Sequence, residues 1–150
     1  MRHRPHNRLP RWHRRSIHAL TAVLLVSGLA WLALVYLAAP PGEETPAPHP
    51  LAATALAIHG IAAQLALVVF ALVGHAHLRV GWRVAAQRSA AVGLVAALVV
   101  LQLTGLAFYY SANEAALPWL RWTHAGVGVA LPAVLGWHIA RGRRSVRLGH

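Results

Sequence analysis

The segment WLRWTHAGVGVALPAVLGWHIAR, residues 119–141, has the most informative pattern in the chain. It is apolar over most of its length and carries two histidines, His124 and His138, fourteen residues apart. An α-helix turns by ~100° and rises by ~1.5 Å per residue, so both imidazoles would share one face at levels ~21 Å apart. The hydrocarbon core of a bilayer is ~30 Å thick. The pattern therefore predicts a membrane helix with one imidazole towards each side.

The composition of the whole chain also predicts an integral membrane protein. Of 150 residues, 57% are hydrophobic and 11% are charged, whereas about a quarter are charged in a typical soluble domain. Thirteen of the fourteen arginines fall within residues 2–15, 79–88 and 141–147, and the three glutamates lie in the other connecting segments. This alternation follows the positive-inside rule. We therefore assign the net charge of +11 to membrane topology and expect no nucleic-acid partner.

Four apolar stretches are long enough to cross a lipid bilayer. We predict spans at about 17–39, 51–75, 89–110 and 119–141, with basic cytoplasmic tails at 1–16 and 142–150. Short connections imply an all-α, integral membrane four-helix bundle over residues 17–141, with up-down-up-down topology and both termini cytoplasmic. The expected location is the bacterial cytoplasmic (inner) membrane. No clear internal repeat is evident.

Five histidines fall within the predicted spans, where an ionisable group is a functional candidate. His59 and His124 lie eight and six residues inside the outer ends, while His18 and His138 each lie three residues from an arginine at the inner side. His75 is near the inner level too, but its sixteen-residue separation from His59 places it ~160° around the helix. We therefore expect His59 to pair with His124 and His18 with His138, and His75 is the alternative inner ligand.

Two pairs of facing imidazoles in an apolar bundle suit bis-histidine haem. A zinc or di-iron site takes three or four ligands, often with carboxylates, and the predicted spans contain no acid. The absence of cysteine excludes thiolate-ligated haem, iron–sulfur clusters and c-type attachment. Arg121, one turn before His124, is the candidate for an outer haem propionate, and a snorkelling interface role is equally expected. Arg15 and Arg141 are the inner candidates, although the positive-inside pattern already accounts for them.

The first span carries a family resemblance. Its sequence RRSIHALTAVLLVSGLAWL, residues 14–32, has Arg, then His18, then an apolar run to Ser27-Gly28-Leu29. It is similar to the prokaryotic cytochrome b561 family and to the cytochrome b subunits of formate dehydrogenases and nickel–iron hydrogenases. The resemblance implies two b-type haems with the same histidine pairs as above. It also implies a quinone near the inner haem, at a site lined by His18, His138 and Arg141.

These observations together predict a membrane b-type di-haem cytochrome that carries electrons across the bilayer, to or from the quinone pool. Its redox protein partner is unknown, and it is either an electron-transfer protein or the membrane subunit of an oxidoreductase. Two alternatives stay open. One is a small non-redox accessory membrane protein with structural or metal-binding histidines. The other is a mono-haem variant that uses only His59 and His124.

Overall fold

The computed structural model describes residues 10–37, 49–81, 85–111 and 113–147, with side chains described at 10–37, 49–74, 88–111 and 113–144. Over these ranges the secondary structure is helical. Its elements are α1 (Arg11–Tyr36), α2 (Pro50–Gly81), α3 (Ala85–Tyr110), a short 3₁₀ helix (Glu114–Ala116) and α4 (Leu117–Arg147). The predicted all-α class is confirmed for the described part of the chain.

Three of these helices are long and apolar enough to cross a membrane. They are Arg11–Tyr36, Pro50–Gly74 and Arg88–Tyr110, with mean hydropathies of 2.1 to 2.3 over their most apolar stretches. Their outer surfaces are correspondingly apolar: Val26, Ile61 and Leu103 are 65%, 64% and 62% exposed. The described part of α4 is not among the three, because histidines, glycines and Pro132 interrupt its apolar run. Membrane crossing by α4, the bundle topology and the side of the termini stay predictions.

The helices extend beyond the predicted spans. α1 begins at Arg11, directly after the N-cap residue Pro10, so residues 11–16 of the predicted basic tail are helical. α2 continues to Gly81 and α4 to Arg147. Arginine is a good helix former, so the hydrogen-bonded backbone continues after the apolar run has ended. Hydropathy locates the limits of the bilayer core and not the ends of a helix.

The chain divides after His77 into two units. The first hairpin comprises α1 and α2. Along α2, the buried residues lie on one face together with His59, at successive spacings of three, four, three, four and seven, as in a coiled-coil seam. They are Ala52, Ala55, Ala62, Ala66 and Val73, and His59 occupies the step between Ala55 and Ala62. These small side chains let the two backbones approach closely, so His59 is held against α1.

The second hairpin comprises α3 and α4, which run antiparallel. A Cβ added at Gly128 would lie 3.8 Å from Leu101, and one added at Gly93 would lie 3.9 Å from Trp137. On α4, the buried residues Leu131 and Leu135 lie on one seam with His124, Gly128 and His138, at the same spacings of three and four. The seam therefore contains both histidines of residues 119–141.

The connection between α3 and α4 is short and capped. The side chain of Asn113 accepts a hydrogen bond from the backbone N–H of Ala115 at 3.1 Å. The backbone N–H of Asn113 itself donates to Ser111 Oγ at 3.3 Å. Pro118 then lies in the first turn of α4. Backbone N–H groups there have no acceptor within the helix, so the N–H that proline lacks costs no helical hydrogen bond. This turn sets the register in which α4 meets α3.

Candidate functional site

His59 is held by two oxygen atoms of the neighbouring helix. Its Nδ1 lies 3.0 Å from the carbonyl oxygen of Leu24 and 3.1 Å from Ser27 Oγ. A carbonyl oxygen only accepts hydrogen bonds, so Nδ1 must carry the proton. The Ser27 hydroxyl donates its own proton to the Val23 carbonyl at 2.6 Å, and its oxygen can therefore accept from the imidazole. In the neutral ring the lone pair is then on Nε2.

Glycine makes room for this imidazole. A Cβ added at Gly28 would lie 3.1 Å from His59 Cε1 and 3.3 Å from His59 Nδ1. Carbon atoms in favourable contact are ~3.5–4.0 Å apart, so any larger residue at this position would push the ring away. The glycine and the hydroxyl beside it thus define where the ring lies and how it is rotated.

His124 has the same arrangement in the second hairpin. Its Nδ1 lies 2.8 Å from Thr104 Oγ1, and the Thr104 hydroxyl donates to the Val100 carbonyl at 2.7 Å. With its proton on the Val100 carbonyl, the threonine oxygen can accept from Nδ1–H, and in that tautomer the lone pair is on Nε2. A Cβ added at Gly105 would lie 3.5 Å from His124 Cε1. The Phe108 ring meets the imidazole edge-on, with centroids 5.9 Å apart.

The two arrangements rest on a short internal repeat. Residues 24–31 read LLVSGLAW and residues 101–108 read LQLTGLAF, 77 positions apart. In both, a hydroxyl residue is followed by Gly-Leu-Ala and an aromatic residue. Sequence analysis missed this repeat, because eight similar residues hardly stand out from an apolar background. The signal that could have found it is the hydroxyl–glycine pair on the helix that precedes each outer histidine.

Of the other predicted histidines, the structure describes the side chains of His18 and His138. His18 is exposed on α1, next to the buried Ile17. His138 is half-buried, and its Nδ1 is enclosed by protein. The side chain of His75 lies outside the described residues. Because α2 is a continuous α-helix through this position, the ~160° that separates it from His59 in helical phase is retained.

The three predicted arginines occupy different surroundings. The guanidinium of Arg141 lies 5.5 Å from the centroid of the Trp137 ring, a cation–π contact. Arg121 is half-buried one turn before His124, and Arg15 is exposed near the start of α1. Their roles towards haem propionates stay predictions.

No family model, curated protein or solved structure matches this chain. A metal-ligating histidine typically donates one ring N–H to an oxygen atom and binds the metal through its other nitrogen. Each hairpin presents one imidazole in that form, held by an oxygen on the helix beside it.

Proposed function

We propose that the chain is a membrane b-type di-haem cytochrome that carries electrons across the bilayer, to or from the quinone pool. His59 and His124 would hold the outer haem. His138 and His18 would hold the inner haem, and His75 is the alternative partner. The observation that carries the proposal is the pair of matched imidazoles, each engaged at Nδ1 by an oxygen of the neighbouring helix.

The residues fit a haem in their chemistry. A bis-imidazole haem needs two neutral ligands whose Nε2 lone pairs are available and whose Nδ1–H groups are satisfied. The Leu24 carbonyl and the hydroxyls of Ser27 and Thr104 accept from Nδ1. When bound, haem supplies one-electron redox chemistry at its iron, with a potential that depends on axial ligands, neighbouring hydrogen bonds and burial.

The surroundings of the two imidazoles favour electron transfer inside a membrane. His59 lies on α2, one of the three helices with the length and hydropathy of a membrane span, and the bilayer would exclude water from that segment. For His124 the same exclusion follows if α4 crosses the membrane as the sequence predicts. Rings that are fixed by a seam of small residues and a hydrogen bond reorganise little when the charge at a ligated iron changes. The quinone partner, and its site at His18, His138 and Arg141, are taken from the resemblance to the cytochrome b561 family.

A visible spectrum of the purified protein tests the proposal. We expect a sharp α band of the b type in the reduced-minus-oxidised difference spectrum, and haem that is extractable without breaking a covalent bond. Protein that has neither the band nor extractable haem would refute the redox function. It would favour the accessory membrane protein instead.

A mono-haem variant is a second candidate, and one observation favours it. The hydroxyl–glycine arrangement accompanies His59 and His124, whereas the proposed inner ligand His18 is exposed in its own hairpin. Pyridine haemochrome analysis against protein concentration separates the candidates. Two haems per chain supports the di-haem form, and one haem per chain supports the variant.

A further inference from the structure

The hydroxyls of Ser27 and Thr104 have the same hydrogen-bonding geometry. Each donates its proton to the carbonyl four residues earlier in its own helix, at 2.6 Å from Ser27 and 2.7 Å from Thr104. Each oxygen then lies at hydrogen-bond distance from an imidazole Nδ1, at 3.1 Å for Ser27 and 2.8 Å for Thr104. Since a hydroxyl has one proton, both residues act as acceptors towards their histidines.

We propose that Ser27 and Thr104 are positioning residues that hold His59 and His124 as Nδ1–H tautomers, with Nε2 presented as the ligating nitrogen. They also set how strongly each imidazole donates electrons to a bound iron. This inference rests on the proposed haem function for its redox consequence, but the tautomer assignment stands without it.

The opposite tautomer is disfavoured by the same contacts. With the proton on Nε2, the Nδ1 lone pair of His59 would face the lone pairs of the Leu24 carbonyl at 3.0 Å. For His124, the Thr104 hydroxyl would have to turn from the Val100 carbonyl to Nδ1, and its bond to that carbonyl would be lost. In an apolar environment an unmade hydrogen bond is costly, at ~1–3 kcal/mol per group. The backbone carbonyls that hold the hydroxyl protons thereby favour the Nδ1–H tautomer.

The redox consequence has a definite sign. An acceptor on Nδ1–H increases the electron density of the imidazole and raises its basicity as a ligand. A more basic ligand stabilises ferric iron over ferrous iron and lowers the reduction potential. Removing the acceptor should therefore raise the potential. The effect should be smaller for Ser27→Ala, because the Leu24 carbonyl still accepts from His59 in that variant.

Thr21 provides a matched control. It is buried on α1 at 8% exposure, and its hydroxyl donates to the Ile17 carbonyl at 2.8 Å. Thr21→Val thus removes a buried, back-bonded hydroxyl of the same kind from a position that has no described bond to an imidazole. Thr104→Ser keeps the acceptor while changing the side chain, and it should behave as the wild type.

The first measurement is a redox titration of the α band in the purified haem protein. In Thr104→Val we expect the ferrous-to-ferric ratio at a fixed potential to rise by up to about tenfold, which is ~59 mV for a one-electron couple. Thr21→Val and Thr104→Ser should stay near the wild-type value. A shift in Thr104→Val no larger than that of Thr21→Val would overturn the positioning role.

The second measurement is ¹⁵N NMR of the same protein with labelled histidine, which reports the ring nitrogen that holds the proton. We expect Nδ1–H at both His59 and His124. A wild-type spectrum with Nε2–H at either residue would overturn the inference, whether or not haem is present. Protein without haem would refute the proposed function alone, so the two failures are distinguishable.

Discussion

Gly28→Ala is the substitution for which the structure predicts the most specific effect. The added methyl carbon would lie 3.1 Å from His59 Cε1, so the ring must move by ~0.4 Å to reach ordinary carbon contact. Such a movement lengthens the hydrogen bond from His59 Nδ1 to Leu24, now 3.0 Å, to as much as ~3.4 Å, beyond the usual limit of ~3.2 Å. Loss of ~1 kcal/mol from this bond corresponds to roughly a fivefold decrease in haem affinity.

Haem titration of the apoprotein, followed by the Soret band, measures this affinity. Gly60→Ala is the control. Gly60 lies next to His59 on α2, and its added Cβ would have no neighbour within 4 Å. Gly105→Ala is the graded case, because its Cβ would be 3.5 Å from His124, an ordinary contact distance. We expect the loss of haem affinity to be largest in Gly28→Ala, smaller in Gly105→Ala and smallest in Gly60→Ala. Helical content, measured by circular dichroism, should be unchanged in all three variants. Equal affinities for Gly28→Ala and Gly60→Ala would refute the idea that glycine positions the ring.

Two further predictions concern the inner haem and the topology. His18→Ala should remove one haem of two and His75→Ala should leave both, as haemochrome stoichiometry would show; the reverse pattern would mean that His75 is the inner ligand. Reporter fusions at residues 1 and 150 should both report the cytoplasm, and termini on opposite sides would contradict four crossings.

The fold class could be predicted from sequence, because it depends on features that are local. Apolar runs of spanning length, separated by proline-rich or basic segments, located all four helices. The same reasoning missed the helical backbone at residues 11–16 and 142–147, since hydropathy does not respond to hydrogen bonding in a polar helix end. It also counted the segment at 119–141 with the other spans, although its interrupted apolar run sets it apart from them.

The candidate site was predictable only in part. Helical phase placed His124 and His138 on one face, and both lie on the seam of α4. The contacts of His59 with Ser27 and of His124 with Thr104 were not foreseen. A side-chain hydrogen bond between helices depends on which helices pack together and in what register. The pattern of apolar residues in one helix predicts neither. The pairing of histidines across the two hairpins stays a prediction.

In the proposed outer site, one imidazole from each hairpin binds the same haem. Haem stoichiometry in His59→Ala, His124→Ala and the double variant tests this directly. The effects of two substitutions on haem content are not additive when both residues bind the same haem. From two haems per chain in the wild type, each single variant should retain one haem, and the double variant should also retain one. A double variant that retains no haem, while each single variant retains one, would contradict the claim, because the two histidines would then serve different haems.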